Sequence, residues 1–326
     1  MLIVIPLLAA IAIALSQLPS MAALGLSALP LAILLGIVFG NLFRPQLTLK
    51  DARVMAFCQQ RLLRLGIVLF GFNLSLQQIV AVGWQAIVID IIIIVTVLSL
   101  GVWLGVRWFG LSKEAAVLTS VGSAICGAAA IMATESVVRG RERDVTVAVA
   151  SVVLFGTLAL FSYPLLYHWL DIDPAVFGIY IGSTVHEVAQ AVAAGQTIGP
   201  EAMQTAVVTK LIRVMLLAPV VIFLGAVVFR QSDTGARRVV PVPWFVFGFI
   251  LAAALNSWWL LPEMVLSTLK VVSQAALALA MASLGIKTQW ATVRQAGIQP
   301  MLLALLLFVV LMVGGLGLNW VFLGMP

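Results

Sequence analysis

Charge is what this chain has least of. Only 9% of its 326 residues are Asp, Glu, Lys or Arg, against about a quarter in an ordinary soluble domain. Too few charges remain to cover a water-exposed surface, which excludes a soluble fold. Cysteine is nearly absent as well: Cys58 and Cys126 are the only two, too few for a disulfide framework or a zinc cluster. The two histidines, His168 and His186, lie at opposite ends of a loop, and no metal-ligand set or nucleophilic triad has its parts. No Gly-rich run ends in Gly-Lys-Ser or Gly-Lys-Thr, so a nucleotide-driven pump is not expected. Neither an enzyme nor a cofactor is expected. The connecting segments are too short to hold a soluble domain, so 1–326 reads as a single transmembrane transporter domain.

What is present is apolar: 63% of the residues are hydrophobic. A membrane span needs about 20 apolar residues, and the sequence predicts an all-α polytopic membrane protein with about eleven hydrophobic segments. They are 2–16, 21–43, 62–82, 84–108, 114–138, 145–169, 175–198, 203–229, 243–261, 267–286 and 298–322. The first lacks the basic start of a cleaved signal peptide and reads as a span. Between Arg44 and Arg61, charged and apolar residues alternate, which predicts an interfacial helix over 45–55. Trp84, Trp103, Trp108, Trp244, Trp258, Trp259 and Trp320 fall near segment ends, where aromatic belts form.

The net charge of +6 would suggest nucleic acid in a soluble protein. Here the cations flank apolar runs, so the bilayer is the expected partner and no nucleic acid is. If every segment crosses and the N-terminus is inside, the Arg139, Arg141 and Arg143 loop falls outside and the Asp171 and Asp173 loop inside. Both placements break the positive-inside rule. If instead 114–138 and 175–198 each enter and leave on one side, the basic loops return to the cytoplasm. The loops with Arg44, Arg107, Arg230, Arg237, Arg238, Lys287 and Arg294 are then inside as well. Two broken or re-entrant segments meeting near the midplane are therefore expected, with the N-terminus cytoplasmic.

An internal repeat agrees with that plan. Val121-Gly122-Ser123-Ala124-Ile125 resembles Ile181-Gly182-Ser183-Thr184-Val185, and Gly71 and Gly83 keep the spacing of Gly285 and Gly297. In the topology above both pairings are inverted, and inverted repeats with broken helices are a recurrent transporter plan.

The candidate site is built from polar residues inside apolar segments, where ionisable groups are costly and functional by default. Gly122, Ser123, Cys126 and Gly127 in one segment, and Gly182, Ser183 and Thr184 in the other, read as helix starts whose N–H groups favour anions. The alternative at those glycines is close helix packing. Lys210 and Arg213, three apart and on one helical face, are too deep to be end anchors. Thr205, Thr209 and Arg213 continue a polar stripe. A buried cation needs a partner, either Glu187 or a translocated anion. One carboxylate cannot neutralise two cations, whereas a divalent oxyanion can. Removing either cation is then expected to abolish saturable flux in a folded protein. His186 and Glu187, an adjacent titratable pair, are the candidates for proton coupling; a neutral His186 bonded to Gln190 is the structural alternative. Asp90 stands alone in its segment, lining a pathway or pairing with a cation.

Gly122-Ser123-Ala124-Ile125-Cys126-Gly127-Ala128-Ala129-Ala130, Ala133-Thr134-Glu135 and Phe177 through Gln190 together resemble the YeiH-like sulfate-exporter family. So do Lys210, Arg213-Val214-Met215, Leu217-Ala218-Pro219 and Leu62 through Ile67. The resemblance spans almost the whole chain; one departure is Ala124, where the family pattern has Ser. It implies a bacterial inner-membrane transporter related to antiporter-like carriers in which two broken helices cross. The expected function is a secondary transporter exporting a small sulfur oxyanion, sulfate or sulfite, with proton coupling. The alternative is a channel or carrier for another small anion, such as an organosulfonate or carboxylate. The expected partners are a small inorganic anion and the lipid bilayer, with a second copy of the chain as a further candidate.

Overall fold

The computed structural model describes residues 1–18, 21, 27–43, 45, 48–170, 172–228, 243–259, 261–289 and 297–324. Arg44, Asp171, Arg230, Arg237, Arg238 and Arg294, all used in the charge argument, lie outside those residues. Every regular element among the described residues is helical. The chain opens with α1 (Val4–Ser16) and α2 (Ala28–Leu42). α3 (Leu49–Asn73) begins at Thr48, whose hydroxyl accepts from Asp51 N while the Asp51 carboxylate accepts from Thr48 N, a reciprocal cap.

This corrects two expectations. The polar stretch 45–55 does not form a separate surface helix: from Leu49 it is the first turns of a continuous helical run of 25 residues. The segment 62–82 is not one helix either. The run ends at Asn73, and Leu74 and Ser75 are extended. Asn256 donates to Leu74 O and Ser257 Oγ accepts from Leu76 N, so the interruption has its own partners. A short α4 (Leu76–Ala81) follows, capped by Ser75.

α5 (Gly83–Arg107) starts at Gly83, where φ is +81°, a value glycine tolerates best. Next come α6 (Lys113–Ala124) and α7 (Ala128–Val138), then α8 (Glu142–Leu170). α9 (Pro174–Thr184) is capped by the Asp173 carboxylate, which accepts from Ala175 N at 2.9 Å, with proline in its first position. α10 (Val188–Ile198) and α11 (Pro200–Ala226) follow, then α12 (Trp244–Trp258), α13 (Glu263–Lys287) and α14 (Ile298–Leu323). Six helices, α3, α5, α8, α11, α13 and α14, are long and apolar enough to span a membrane.

Two pairs of helices fold back on themselves. Just past α7, a Cβ added at Gly140 would lie 2.7 Å from Leu118 Cδ1 and 3.7 Å from Glu114 Cβ, both in the first half of α6. Likewise, Cβ atoms added at Gly178 in α9 and Gly195 in α10 would meet Ala202 O at 2.4 and 3.0 Å. The 29-residue α8, about 43 Å at 1.5 Å per residue, leads from the mouth of the first pair to the mouth of the second. The mouths therefore lie at opposite ends of α8.

The larger helix contacts sort the described elements into two groups. One holds α1 to α4, α12 and α13; the other holds α5 to α11 and α14. They meet through α10, which touches α2 and α13. In the first group small residues set the spacing: a Cβ at Gly36 or Gly285 would strike the opposing backbone of α13 or α2, the close approach small residues allow in membranes. The surface is the reverse of a soluble protein. Val95, Leu165, Val271 and all seven tryptophans named above are exposed, while Arg213 is the largest of the fully buried side chains.

Candidate functional site

Each folded-back pair turns through three residues that leave the helix. In the first, Ile125 has φ −123° and ψ −86°, and Gly127 has φ +68° and ψ −134°. In the second, Val185 and Glu187 are extended. A helix that stops inside protein leaves carbonyls unsatisfied at its end and N–H groups unsatisfied at the next start.

α11 supplies the donors for the carbonyls. Arg213 Nε donates to Ala124 O at 2.7 Å, Nη2 to Ser123 O at 3.0 Å and Nη1 to Val185 O at 3.4 Å. Lys210 Nζ donates to Ile125 O at 2.9 Å and to Val185 O. Both cations are wholly buried. Val185 O receives both, so the two turns are tied together through α11. Positive charge at a helix C-terminus is favourable, and here two such ends share two cations. The complementary charge is Glu187, whose Oε1 accepts from Ala128 N at the start of α7. A Cβ at Gly127 would lie 2.5 Å from Glu187 Cγ, so the missing side chain makes room for the carboxylate.

This reverses one expectation. Gly122-Ser123 and Gly182-Ser183-Thr184 end helices α6 and α9; they do not start helices. Helix ends present carbonyls, not N–H donors, and the cations take those of Ser123, Ala124, Ile125 and Val185. The helix starts lie further on, at Ala128 and Val188. Both glycines pack closely: a Cβ at Gly122 would strike Ile131 and Val152 at 2.7 and 2.8 Å, and one at Gly182 would strike Ala206 O and Thr209 Cβ at 2.6 Å. Ser183 Oγ donates to Tyr180 O and accepts from Asn319 Nδ2, and Thr184 Oγ1 also donates to Tyr180 O. Cys126 is a free, buried thiol.

The expected partners of His186 and Arg213 also change. Arg213 makes no ion pair with Glu187, because its donors face carbonyls. Gln190 does not reach His186; its Nε2 donates to Val153 O and Thr157 Oγ1, and its Oε1 accepts from Glu187 N. His186 is buried with neither ring nitrogen hydrogen-bonded, its ring 6.3 Å from that of Phe308. Ser123 Oγ, Thr209 Oγ1 and both oxygens of Asp90 are likewise buried without a hydrogen bond. Asp90 lies on the buried face of α5 within Coulombic range of Arg213 and Lys210. Asn319, whose grip on Ser183 comes from 136 residues away, carried no signal in the sequence.

A cavity of about 330 Å³ opens at the start of α6, lined among others by Thr119, Arg141, Arg143, Asp144 and Gln299. The buried cations do not line it. Thr119 is one turn before Ser123, about 6 Å along the helix.

Six span-length helices, an apolar exterior and a buried ionic crossing define a multi-pass membrane protein. The chain belongs to the UPF0324 family: the family model described as Conserved hypothetical protein 698 matches residues 1–304. The inner membrane protein YeiH of Escherichia coli K12 is 47% identical over 309 residues, covering 94% of this chain and 88% of that protein. A UPF0324 membrane protein of Yersinia pestis is 48% identical over 307 residues, covering 91% and 85%. Another, from Pseudomonas aeruginosa, is 47% identical over 302 residues, covering 89% and 85%. No solved structure matches. With relatives named as inner membrane proteins and helices of spanning length, this is a multi-pass protein of the bacterial inner membrane.

Proposed function

We propose that this protein is a secondary transporter that carries a small divalent sulfur oxyanion, sulfate or sulfite, out across the inner membrane. The observation that carries the reading is the pair of buried cations beside hydroxyls without partners. A guanidinium has five N–H donors and an ammonium three. Arg213 uses three and Lys210 two on carbonyls, which leaves two and one. Ser123 Oγ and Thr209 Oγ1 add two further donors. A tetrahedral dianion accepts from several directions at once, and charge-assisted bonds of this kind are the strong ones. Gly122, Gly127, Gly182, Ser183, Thr184 and Cys126 shape the turns around it. His186 and Glu187 are titratable groups at the same crossing through which protons can be coupled.

In this reading α6–α7 and α9–α10 are re-entrant pairs that enter from opposite faces and meet near the midplane. Support comes from their mouths at opposite ends of α8, and from the donors that α11 supplies to backbone that lipid could not satisfy. Counting each pair once with the six long helices, α1, α2 and α12 gives eleven segments. Inverted repeats are supported by the matched turns and by Gly83 and Gly297, which have φ of +81° and +86° and stand at the starts of α5 and α14. The N-terminus and the Arg139 to Arg143 loop are then cytoplasmic.

Flux of labelled sulfate and sulfite into proteoliposomes tests the function. A carrier gives saturable uptake with counterflow. Unsaturated flux would make the protein a channel, and no flux of either anion would remove the proposed substrate class.

A further inference from the structure

Asp90 is a buried carboxylic acid near the crossing that the reading above leaves without a task. It is wholly buried, two turns into α5, and neither carboxylate oxygen has a hydrogen bond. A buried carboxylate without a partner is costly, so its position calls for a compensating charge or a proton. α5 packs on α6, α9, α11 and α14. On those helices the titratable groups are Lys113 and Glu114 at the far start of α6, Tyr180 on α9, and Glu201, Lys210 and Arg213 on α11. Tyr180 donates its hydroxyl to Met312 O. Among the described residues, Arg213 and Lys210 are the charges that bear on Asp90, and neither is within ion-pair distance of it.

We infer that Asp90 is the proton-carrying group of this transporter and competes with the translocated anion for Arg213 and Lys210; this rests on the reading of the crossing as an anion site. With Asp90 and Glu187 ionised, the two carboxylates and two cations sum to zero, and the crossing has no net attraction for an anion. When Asp90 takes a proton from the aqueous side that delivers the anion, the crossing becomes positive by one and the dianion binds. Anion and proton then move together, and Asp90 releases the proton where the anion leaves. Per cycle one dianion and one proton cross, a net movement of one negative charge. Binding linkage is reciprocal: protonation of Asp90 tightens the anion, and the anion holds the proton. His186 suits this role less well, because its protonation would add a third cation beside two.

The test is sulfate affinity of the purified full-length protein across pH, with proton uptake on sulfate addition followed in weakly buffered solution. For wild type the affinity should rise as pH falls, by up to about tenfold per pH unit where one proton is linked, with proton uptake on binding. Asp90→Asn should hold the affinity that wild type reaches at the acidic end, at every pH, with no proton uptake. Asp90→Glu should keep the pH dependence. Wild-type binding without proton uptake overturns the inference whether or not Asp90→Asn folds. So does an Asp90→Asn protein that keeps the wild-type pH dependence, or loss of that dependence in His186→Gln alone. Absence of binding of both sulfate and sulfite to wild type at any pH removes the anion site itself, and this inference with it.

Discussion

Lys210 and Arg213 hold the crossing together before they hold anything else. Five hydrogen bonds run from them to four carbonyls at the ends of α6 and α9. A buried carbonyl left without its donor costs about 1–3 kcal/mol. Lys210→Met should therefore lower the thermal stability of the purified protein by roughly that amount for each of Ile125 and Val185, with Val185 partly rescued by Arg213. Thermal unfolding in detergent reads this directly; a variant that melts with wild type would show that the carbonyls do not depend on Lys210. Removing a cation is therefore expected to cost stability as well as any flux, because these side chains hold the carbonyls of both turns. The sequence revealed that these cations are buried, since they lie seven or more residues inside an apolar segment. It did not reveal their partners. A Gly-Ser pair suits a helix start and a helix end almost equally, and only the fold decides which polar groups the pair exposes.

The turns between paired helices depend on backbone shapes that few residues adopt. Gly127 has φ +68° and no room for a Cβ beside Glu187; Gly110 has φ +63° and open space around it. Alanine at either position meets backbone strain of about 1–3 kcal/mol, but only at Gly127 does it also push the Glu187 carboxylate from the start of α7. Gly127→Ala should thus destabilise clearly more than Gly110→Ala in thermal unfolding, and equal losses would mean that the contact with Glu187 contributes nothing. The breaks in 114–138 and 175–198 were legible, because polar and small residues interrupt apolar runs at matching places. The break at Leu74 was not. Asn256 and Ser257, which hold it, sit 182 and 181 residues away, and the polar Asn73, Ser75, Gln77 and Gln78 beside it fit a helix face turned to protein as well as a break. The start of α3 was misread for a related reason: charged first turns look the same whether a helix stops at the surface or continues inward.

Across the whole molecule, apolar content and length were enough to predict helices of spanning size, but not how they group. That α10 alone among the larger contacts joins the two groups, with Glu187 just before it in Coulombic range of Lys287 at the end of α13, depends on contacts no periodicity encodes. The central claim is that this buried crossing holds one divalent oxyanion per chain. Calorimetric titration of sulfate, and separately of sulfite, into the purified protein tests it most directly. One saturable site per chain is expected for one of them. Arg213→Lys keeps the charge and loses the fork, so affinity should fall roughly ten- to a hundredfold, the equivalent of a charged hydrogen bond of about 1.5–3 kcal/mol. Absence of saturable binding of either anion, or a folded Arg213→Lys protein that binds as tightly as wild type, would contradict it.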